Sequence, residues 1–149
     1  MMLKDFCTTN VSTCGPQTTV LQAANLMRRL HVGDLVVVDE PQEQGIPLGV
    51  ITDRDIVIEV VAKGLDPSKT TVASLMRTPV VMAYENEDAT QVIERMKQHG
   101  VRRLPVVDRE GETMGIVTLD DLLRIVVADA SALLAIMAKG QANEHRARQ

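Results

Sequence analysis

Two stretches of this chain, GVITDRDIVIEVVA at residues 49–62 and GIVTLDDLLRIVVA at residues 115–128, share one pattern. Each begins with a glycine and a short β-branched apolar run, continues with Thr-x-x-Asp, and ends in a longer apolar stretch. A short β-branched run is typical of a buried strand. A threonine followed three residues later by an acid is typical of a helix start. The pattern therefore predicts a strand that leads directly into a helix, twice in one chain.

The similarity between the two halves extends well beyond these stretches. With an offset of 69 residues, NLMRRLHVGDLVVVD (25–39) aligns with ERMKQHGVRRLPVVD (94–108). The offset becomes 66 from Gly49 and Gly115 onward, because the preceding loop is three residues longer in the first half. Similarity in one register, with one change in loop length, indicates an internal duplication.

Composition restricts the class of protein and of partner. The chain has 149 residues, and Phe6 and Tyr84 are its only aromatic residues, so its core must be aliphatic. A net charge of −4 argues against a nucleic-acid partner, since phosphate backbones favour basic surfaces. No signal-like segment opens the chain, and Arg124 and Asp129 interrupt its last apolar stretch. We therefore expect a cytoplasmic protein that does not cross a membrane.

Motifs for catalysis or metal binding are absent from the sequence. Cys7 and Cys14 are too few for a disulfide framework, and the three histidines lack metal-ligand spacing. The chain also lacks a nucleophile elbow, a phosphate-binding P-loop and a dinucleotide-binding glycine motif. We expect a protein that is not an enzyme, with no catalytic residue and no metal.

The sequence predicts the same five elements, β-α-β-β-α, in each repeat. Capping-box patterns and apolar residues at helical spacing predict the helices, and short β-branched runs predict the strands. The predicted helices are 20–31, 89–99 and two that begin at Thr52 and Thr118; predicted strands lie in 34–39, 48–52, 103–108 and 114–118.

These elements predict an α/β fold in which two repeats pack sheet to sheet about a pseudo-two-fold axis, since neither half has enough core to fold alone. The last helix, expected over about 119–139, carries a broad apolar stripe. We expect a homodimer through the helices of both repeats, and the alternative is that this helix packs only on its own domain. The predicted divisions are repeat 1 at 1–64, a linker at 65–70, repeat 2 with its extended helix at 71–138, and a polar tail at 139–149.

Two such units, each with Val-Val-Asp followed by Gly-x-x-Thr-x-x-Asp, resemble a tandem pair of cystathionine β-synthase (CBS) domains, a Bateman module. The segments GVITDRDI and RRLPVVDREGETMGIVTLDDLL carry the resemblance, which covers roughly residues 3–138. It implies a regulatory sensor that holds an adenosyl ligand in clefts between the repeats: AMP, ADP or ATP, and less commonly S-adenosylmethionine or NADH. It also implies dimers, head to head or head to tail, and a target protein that the sequence does not name.

The Thr-x-x-Asp motifs have two compatible interpretations. Thr52 with Asp55, and Thr118 with Asp121, can cap helices, and a threonine cap stabilises a helix by roughly 0.5–2 kcal/mol over alanine. The resemblance implies that the aspartate also holds a ribose and that the threonine lies near a phosphate. If the motifs only cap helices, the chain is a ligand-free dimerisation or protein-interaction module.

Basic residues predict which cleft takes a phosphate. Arg102 and Arg103 precede the second Leu-Pro-Val-Val-Asp segment, where the family often carries basic residues, whereas repeat 1 has Gly33 and Asp34 there. Arg54 is a candidate to compensate in repeat 1. We therefore expect the cleft of repeat 2 to rank above that of repeat 1, and a phosphorylated adenosine to rank above S-adenosylmethionine.

The adenine base requires an apolar slot and backbone hydrogen bonds. Plain core packing is the alternative for every candidate. The candidates are Val11, Thr13, Val50, Ile51, Val80, Met82, Ile116 and Val117.

Overall fold

The two strand-to-helix stretches form the centre of each half of the structure, a computed structural model that describes residues 1–41 and 44–148. Within these residues the predicted α/β architecture is confirmed. The strands are β1 (Thr13–Cys14), β2 (Asp34–Val38), β3 (Pro47–Thr52), β4 (Ala83–Tyr84), β5 (Arg103–Val107) and β6 (Thr113–Thr118). The helices are α1 (Val20–Leu30), α2 (Asp53–Ile56), α3 (Ala89–His99) and α4 (Leu119–Ala147); a π-helical turn (Val57–Val61) continues α2, and 3₁₀ turns cover Leu3–Asp5 and Val72–Ser74.

Each half contains a three-stranded sheet with the same topology. In the first sheet β2 pairs parallel with β1 and antiparallel with β3, and in the second β5 pairs in the same way with β4 and β6. A register shift recurs at the end of the central strand, between Val37 and Val38 and between Val106 and Val107. The duplication in the sequence is thus reproduced in the backbone.

The first helix of each repeat begins and ends close to its predicted bounds. The side chains of Thr19 and Asp88 cap α1 and α3 by accepting the backbone N–H three residues on. Gly100 closes α3 with φ of 63°, a left-handed conformation that glycine adopts readily. His31 holds the same position after α1, with φ of 54°, and its side chain is exposed.

The first segment of each repeat, residues 3–8 and 72–77, is called the entry segment here and packs against the other repeat. Leu3 is fully buried in the core of the second half, and Val72, its counterpart at the 69-residue offset, is fully buried in the core of the first. Thr8 and Ile116 join their backbones through hydrogen bonds of 2.9 and 3.0 Å. Because the entry segments are exchanged, neither half encloses its core without the other.

Gly49 and Gly115, which open the two repeated stretches, allow this exchange. A Cβ at Gly115 would lie 2.8 Å from the carbonyl oxygen of Thr8 and 2.9 Å from Cys7 Sγ. A Cβ at Gly49 would lie 3.1 Å from the carbonyl oxygen of Arg77. The entry segments therefore pass directly over two glycines. A Cβ at Gly115 would displace its segment, and a Cβ at Gly49 would require its neighbours to shift slightly.

The two sheets also contact each other directly, as the sequence predicts. Val36 and Val38 of β2 form one buried cluster with Ile116 of β6. At the edge of this cluster Thr113 donates from its backbone N and from Oγ1 to the carbonyl oxygen of Gly45, at 2.8 and 3.0 Å. The buried residues thus form one core cluster in each half and a third, smaller cluster that joins the two sheets.

Helix α4 is longer than predicted. Residues 139–147, expected to be a polar tail, continue the helix, because they include alanine, glutamine, glutamate and arginine and contain no proline. Gln42, Glu43 and Gln149, which fall in predicted repeat 1 and in the predicted tail, lie outside the described residues.

In helix α4, Leu122 is buried, whereas apolar side chains from Val126 to Met137 are exposed. No helix in the described part of the chain is both long enough and apolar enough to cross a membrane.

Candidate ligand-binding clefts

The first cleft, of about 270 Å³, lies between the Thr-x-x-Asp motif of repeat 1 and the beginning of repeat 2. This volume is close to the lower end of the range of roughly 300–1,000 Å³ that is usual for small-molecule sites. Polar, charged and apolar residues of both repeats line it. They are Val50, Thr52, Asp53, Arg54, Asp55, Arg77, Pro79, Val80, Val81, Gly100, Val101, Arg102 and Arg103.

Thr52 and Asp55 form the predicted capping box at the wall of this cleft. The backbone N of Thr52 donates to Asp55 Oδ2 at 2.9 Å, and the backbone N of Asp55 donates to Thr52 Oγ1 at 3.2 Å. The other carboxylate oxygen, Asp55 Oδ1, lies 4.0 Å from Arg77 Nη2. The side chain of Asp55 is 15% exposed. Capping therefore uses one carboxylate oxygen and leaves the other on the side of Arg77, which also lines the cleft.

Four arginines converge on the first cleft, three from repeat 2 or its entry segment. Arg54 comes from α2 and Arg77 from the entry segment, whereas Arg103 is the first residue of β5 and Arg102 directly precedes it. Sequence reasoning missed Arg77. Its position three residues before the candidate Val80 was the available signal, but only the exchange of entry segments brings it to Asp55.

The second cleft, of about 430 Å³, lies beside the Thr-x-x-Asp motif of repeat 2. Thr118 and Asp121 form a capping box here as well. The backbone N and Oγ1 of Thr118 both donate to Asp121 Oδ2 at 2.9 Å. The lining residues are Gly33, Asp34, Arg102, Arg103, Thr118, Leu119 and Asp120, so Asp121 itself is not among them.

Arg102 and Arg103 do not belong to one cleft alone. The sequence assigned them to the cleft of their own repeat, but they line both clefts, because β5 begins where the two repeats meet. Arg103 Nη1 also donates to Asp34 Oδ2 of the first repeat in an ion pair. The structure therefore removes the reason for ranking the cleft of repeat 2 first.

The candidates for the adenine slot separate into two groups. Val50 and Val80 line the first cleft. Ile51 and Val117 are fully buried in the two cores and line neither cleft, because alternate residues of a strand point to opposite faces. Ile116 is buried between the sheets with Val11 packed against it, Thr13 lines a separate depression beside Cys14, and the carbonyl oxygen of Met82 accepts from Arg95.

Burial of the two cysteines suppresses their ionisation. Burial raises the pKa of the Cys14 thiol to about 11. The pKa of Cys7 is also raised, first by burial and then by the carboxylates of Asp121 and Asp5. Within residues 1–41 and 44–148, no group of three or more histidine, cysteine, aspartate or glutamate residues is placed to hold a metal ion.

Relatives with known sequences include protein MK0525 of Methanopyrus kandleri, 37% identical over 116 residues, and CBS domain-containing protein YhcV of Bacillus subtilis, 40% identical over 146 residues. The first alignment covers 78% of this chain and 58% of MK0525, and the second covers 96% of this chain and 98% of YhcV. This chain thus spans less than two thirds of MK0525 and nearly all of YhcV.

Two solved structures show the same fold. Hypoxic Response Protein I, crystallised with two coordinated zinc ions, has a TM-score of 0.72 and 31% identity, covering 83% of this chain and 98% of its own. Hypoxic response protein 1 of Mycobacterium tuberculosis is also a relative of this chain by sequence. The CBS domain pair of MJ0100, in complex with 5'-methylthioadenosine and S-adenosyl-L-methionine, has a TM-score of 0.74 and 27% identity, covering 87% and 98%.

The family assignment rests on both repeats. The sequence model of the CBS domain family matches residues 3–62 and again residues 72–128, which together make up most of the chain. Both matches contain the strand-to-helix stretch and the capping box described above. This chain therefore belongs to the CBS domain family, as a tandem CBS pair.

Proposed function

We propose that this chain is a non-catalytic regulatory module of the cytoplasm that binds an adenine nucleotide in the first cleft. One observation carries the proposal: the Asp55 carboxylate, four arginines and the apolar wall that includes Val80 meet in a single cleft between the repeats. The two free cysteines, Cys7 and Cys14, suit a reducing compartment. Binding would bias the relative orientation of the two repeats, which a target protein could read.

Asp55 is the proposed ribose ligand. Its Oδ2 is held by the backbone of Thr52, so the carboxylate is oriented before any ligand arrives. Its Oδ1 lies on the side of Arg77, another residue of the cleft, and can accept a hydrogen bond from a ribose hydroxyl. Such pre-orientation favours binding, since little side-chain freedom is lost.

The arginines favour a phosphorylated ligand. Guanidinium groups match phosphate oxygens bidentately, and the first cleft holds four of them, including Arg54 and Arg102. The sulfonium of S-adenosylmethionine carries positive charge, which these side chains would repel. The expected order is therefore AMP, ADP or ATP ahead of S-adenosylmethionine, although the pair from MJ0100 holds S-adenosyl-L-methionine. NADH also carries phosphates, and it ranks below the three nucleotides only because the family resemblance implies it less commonly.

The alternative function is a ligand-free interaction module. Its support is that both capping boxes are complete within the chain itself, so the Thr-x-x-Asp motifs have a structural role without any ligand. The two functions differ in whether a nucleotide stabilises the protein against unfolding.

Thermal unfolding with AMP, ADP, ATP, NADH and S-adenosylmethionine separates them. A ligand at a hundred times its dissociation constant adds about 2.7 kcal/mol, which corresponds to a rise in melting temperature of roughly 5–11 °C for a chain of this size. A rise with one of the phosphorylated ligands supports the sensor. No rise with any of the five supports the ligand-free module.

A matched pair of variants then tests the ribose role. Asp55→Glu and Asp121→Glu both keep an acid in the capping box, but Asp55→Glu moves its carboxylate by one methylene in the first cleft. We expect Asp55→Glu to remove most of the nucleotide-dependent rise and Asp121→Glu to keep it. An unchanged rise in Asp55→Glu would exclude this aspartate as the ribose ligand.

We propose in addition that the chain forms a homodimer through helices of both repeats. The π-helical turn exposes Val57 and Val61, and α4 exposes Val126, Val127 and other apolar side chains. Exposed apolar side chains grouped on a helix of each repeat are typical of an interface. Sedimentation analysis that found only monomer at micromolar concentration would exclude this proposal.

A further inference from the structure

The duplication gives each charged residue of the first cleft a counterpart in the other repeat. The two offsets, 69 residues before the loop and 66 after it, identify the counterparts. Each arginine of the first cleft corresponds to a neutral or acidic residue. The four correspondences are Arg54 with Asp120, Arg77 with Thr8, Arg102 with Gly33 and Arg103 with Asp34.

The charged residues of the first cleft and their counterparts in the other repeat have net charges of opposite sign. The first cleft carries four arginines and two aspartates, Asp53 and Asp55, for a formal charge of +2. The counterpart positions hold three aspartates, Asp34, Asp120 and Asp121, and no cation, for a formal charge of −3. Inside a partly closed cleft, charges of this sign decide whether a phosphate enters, because the low dielectric weakens screening.

Both cations among the residues that line the second cleft also line the first. Arg102 and Arg103 line both clefts, and in the second they lie beside Asp34 and Asp120, so that the charge of the lining residues is zero. Arg103 is moreover held by Asp34 in an ion pair. Both arginines are shared with the first cleft, and Arg103 is already paired with Asp34, so they cannot neutralise a second phosphate while serving the first.

We infer that the two clefts have diverged, so that the chain binds one phosphorylated ligand, in the first cleft, and Asp34 and Asp120 exclude phosphate from the second. This inference rests on the proposed function, because it specifies where and how many times the nucleotide binds. Asp34 is then a specificity residue: it occupies Arg103 and places a carboxylate where the first cleft has a cation.

Isothermal titration with AMP tests the inference on the whole chain. We expect one site per chain in the wild-type protein. Arg54→Asp, which gives the first cleft the residue of the second at this position, should weaken binding at least tenfold. Asp120→Arg combined with Asp34→Asn removes the two carboxylates that line the second cleft and adds a cation there, and should raise the stoichiometry to two per chain. Asp120 is exposed and the side chain of Asp34 is 24% exposed, and neither takes part in the capping box.

The outcomes separate the inference from the proposed function. Two equivalent sites in the wild-type protein would overturn the inference and leave the proposed function standing. Binding that survives Arg54→Asp unchanged would also overturn it, since the nucleotide would then lie elsewhere. A stoichiometry of one in the double variant, with an unchanged melting temperature, would show that charge does not exclude phosphate from the second cleft. Absence of binding by AMP, ADP and ATP to the wild-type protein would instead overturn the proposed function.

Discussion

Asp34 and Arg103 occupy the same position in the two repeats, 69 residues apart in the chain, and form an ion pair with each other. A residue close to a pseudo-two-fold axis lies next to its own counterpart, so two identical charged residues here would repel each other. Opposite charges turn the same position into a contact between the repeats. The divergence of the two copies therefore affects both the packing of the repeats and the charge of the clefts.

The Asp34–Arg103 pair should contribute modestly to stability. The side chains are 24% and 33% exposed, and partly exposed ion pairs contribute about 1 kcal/mol or less. A double-mutant cycle with Asp34→Asn and Arg103→Gln, followed by urea unfolding, should measure a coupling of this size that decreases with salt. The exposed pair of Glu94 and Lys97 is the control, and a coupling there as large as that of Asp34 and Arg103 would contradict the prediction.

Gly115→Ala and Gly140→Ala should have opposite effects. A Cβ at Gly115 meets Thr8 and Cys7 below 3.0 Å, so the variant must displace the entry segment, and we expect a loss of about 1–3 kcal/mol. Gly140 lies in α4 with nothing within 4 Å, so alanine should stabilise the helix by about 0.5–1 kcal/mol. Urea unfolding of the two variants measures both signs, and a neutral Gly115→Ala would contradict the close packing of the entry segment.

Thr52→Ala and Thr118→Ala should each destabilise the chain by roughly 0.5–2 kcal/mol without ligand. Each threonine hydroxyl accepts the backbone N–H of its aspartate at 3.2 Å, and alanine leaves that donor without its partner. Thr→Ser retains the oxygen and is the matched control. Equal stability of the alanine and serine variants, measured in urea, would show that the caps do not stabilise these helices.

The buried Cys14 thiol should make stability depend on pH above neutrality. Its pKa is raised from 9.0 to about 11 by burial, so the native state keeps the proton after the unfolded chain has lost it. The resulting contribution, roughly 2–3 kcal/mol, is present below pH 9 and is lost as the pH rises towards 11. Urea unfolding at pH 7 and pH 10.5 should show a larger decrease for the wild-type protein than for Cys14→Ala. Equal decreases would exclude Cys14 as the cause.

Val126→Glu should convert the proposed homodimer to monomer. Val126 is 53% exposed on the apolar side of α4, and a buried unpaired carboxylate at an interface is strongly unfavourable. Sedimentation velocity of the variant, with Lys139→Glu as a control on the same helix, measures the change. A dimer that persists in Val126→Glu would exclude this region of α4 from the interface.

Local chemistry explains what could be predicted from the sequence. The helix starts at Thr52 and Thr118 were predictable, because a capping box involves residues three positions apart. The faces of Ile51 and Val117 were not, because both faces of these strands are largely covered and their sequence does not alternate clearly. The end of α4 was also misjudged, because a polar composition does not stop a helix that lacks proline.

The sequence by itself determined the duplication, the order of elements and the capping residues, since these follow from periodicity and from contacts within a few residues. Only the tertiary structure decided which cleft receives the cations. Arg77 reaches Asp55 through the exchange of entry segments, and Arg102 and Arg103 reach the first cleft because the repeats meet where β5 begins. Such contacts depend on how two halves pack about an axis, and the spacing of residues along the chain does not encode that arrangement directly.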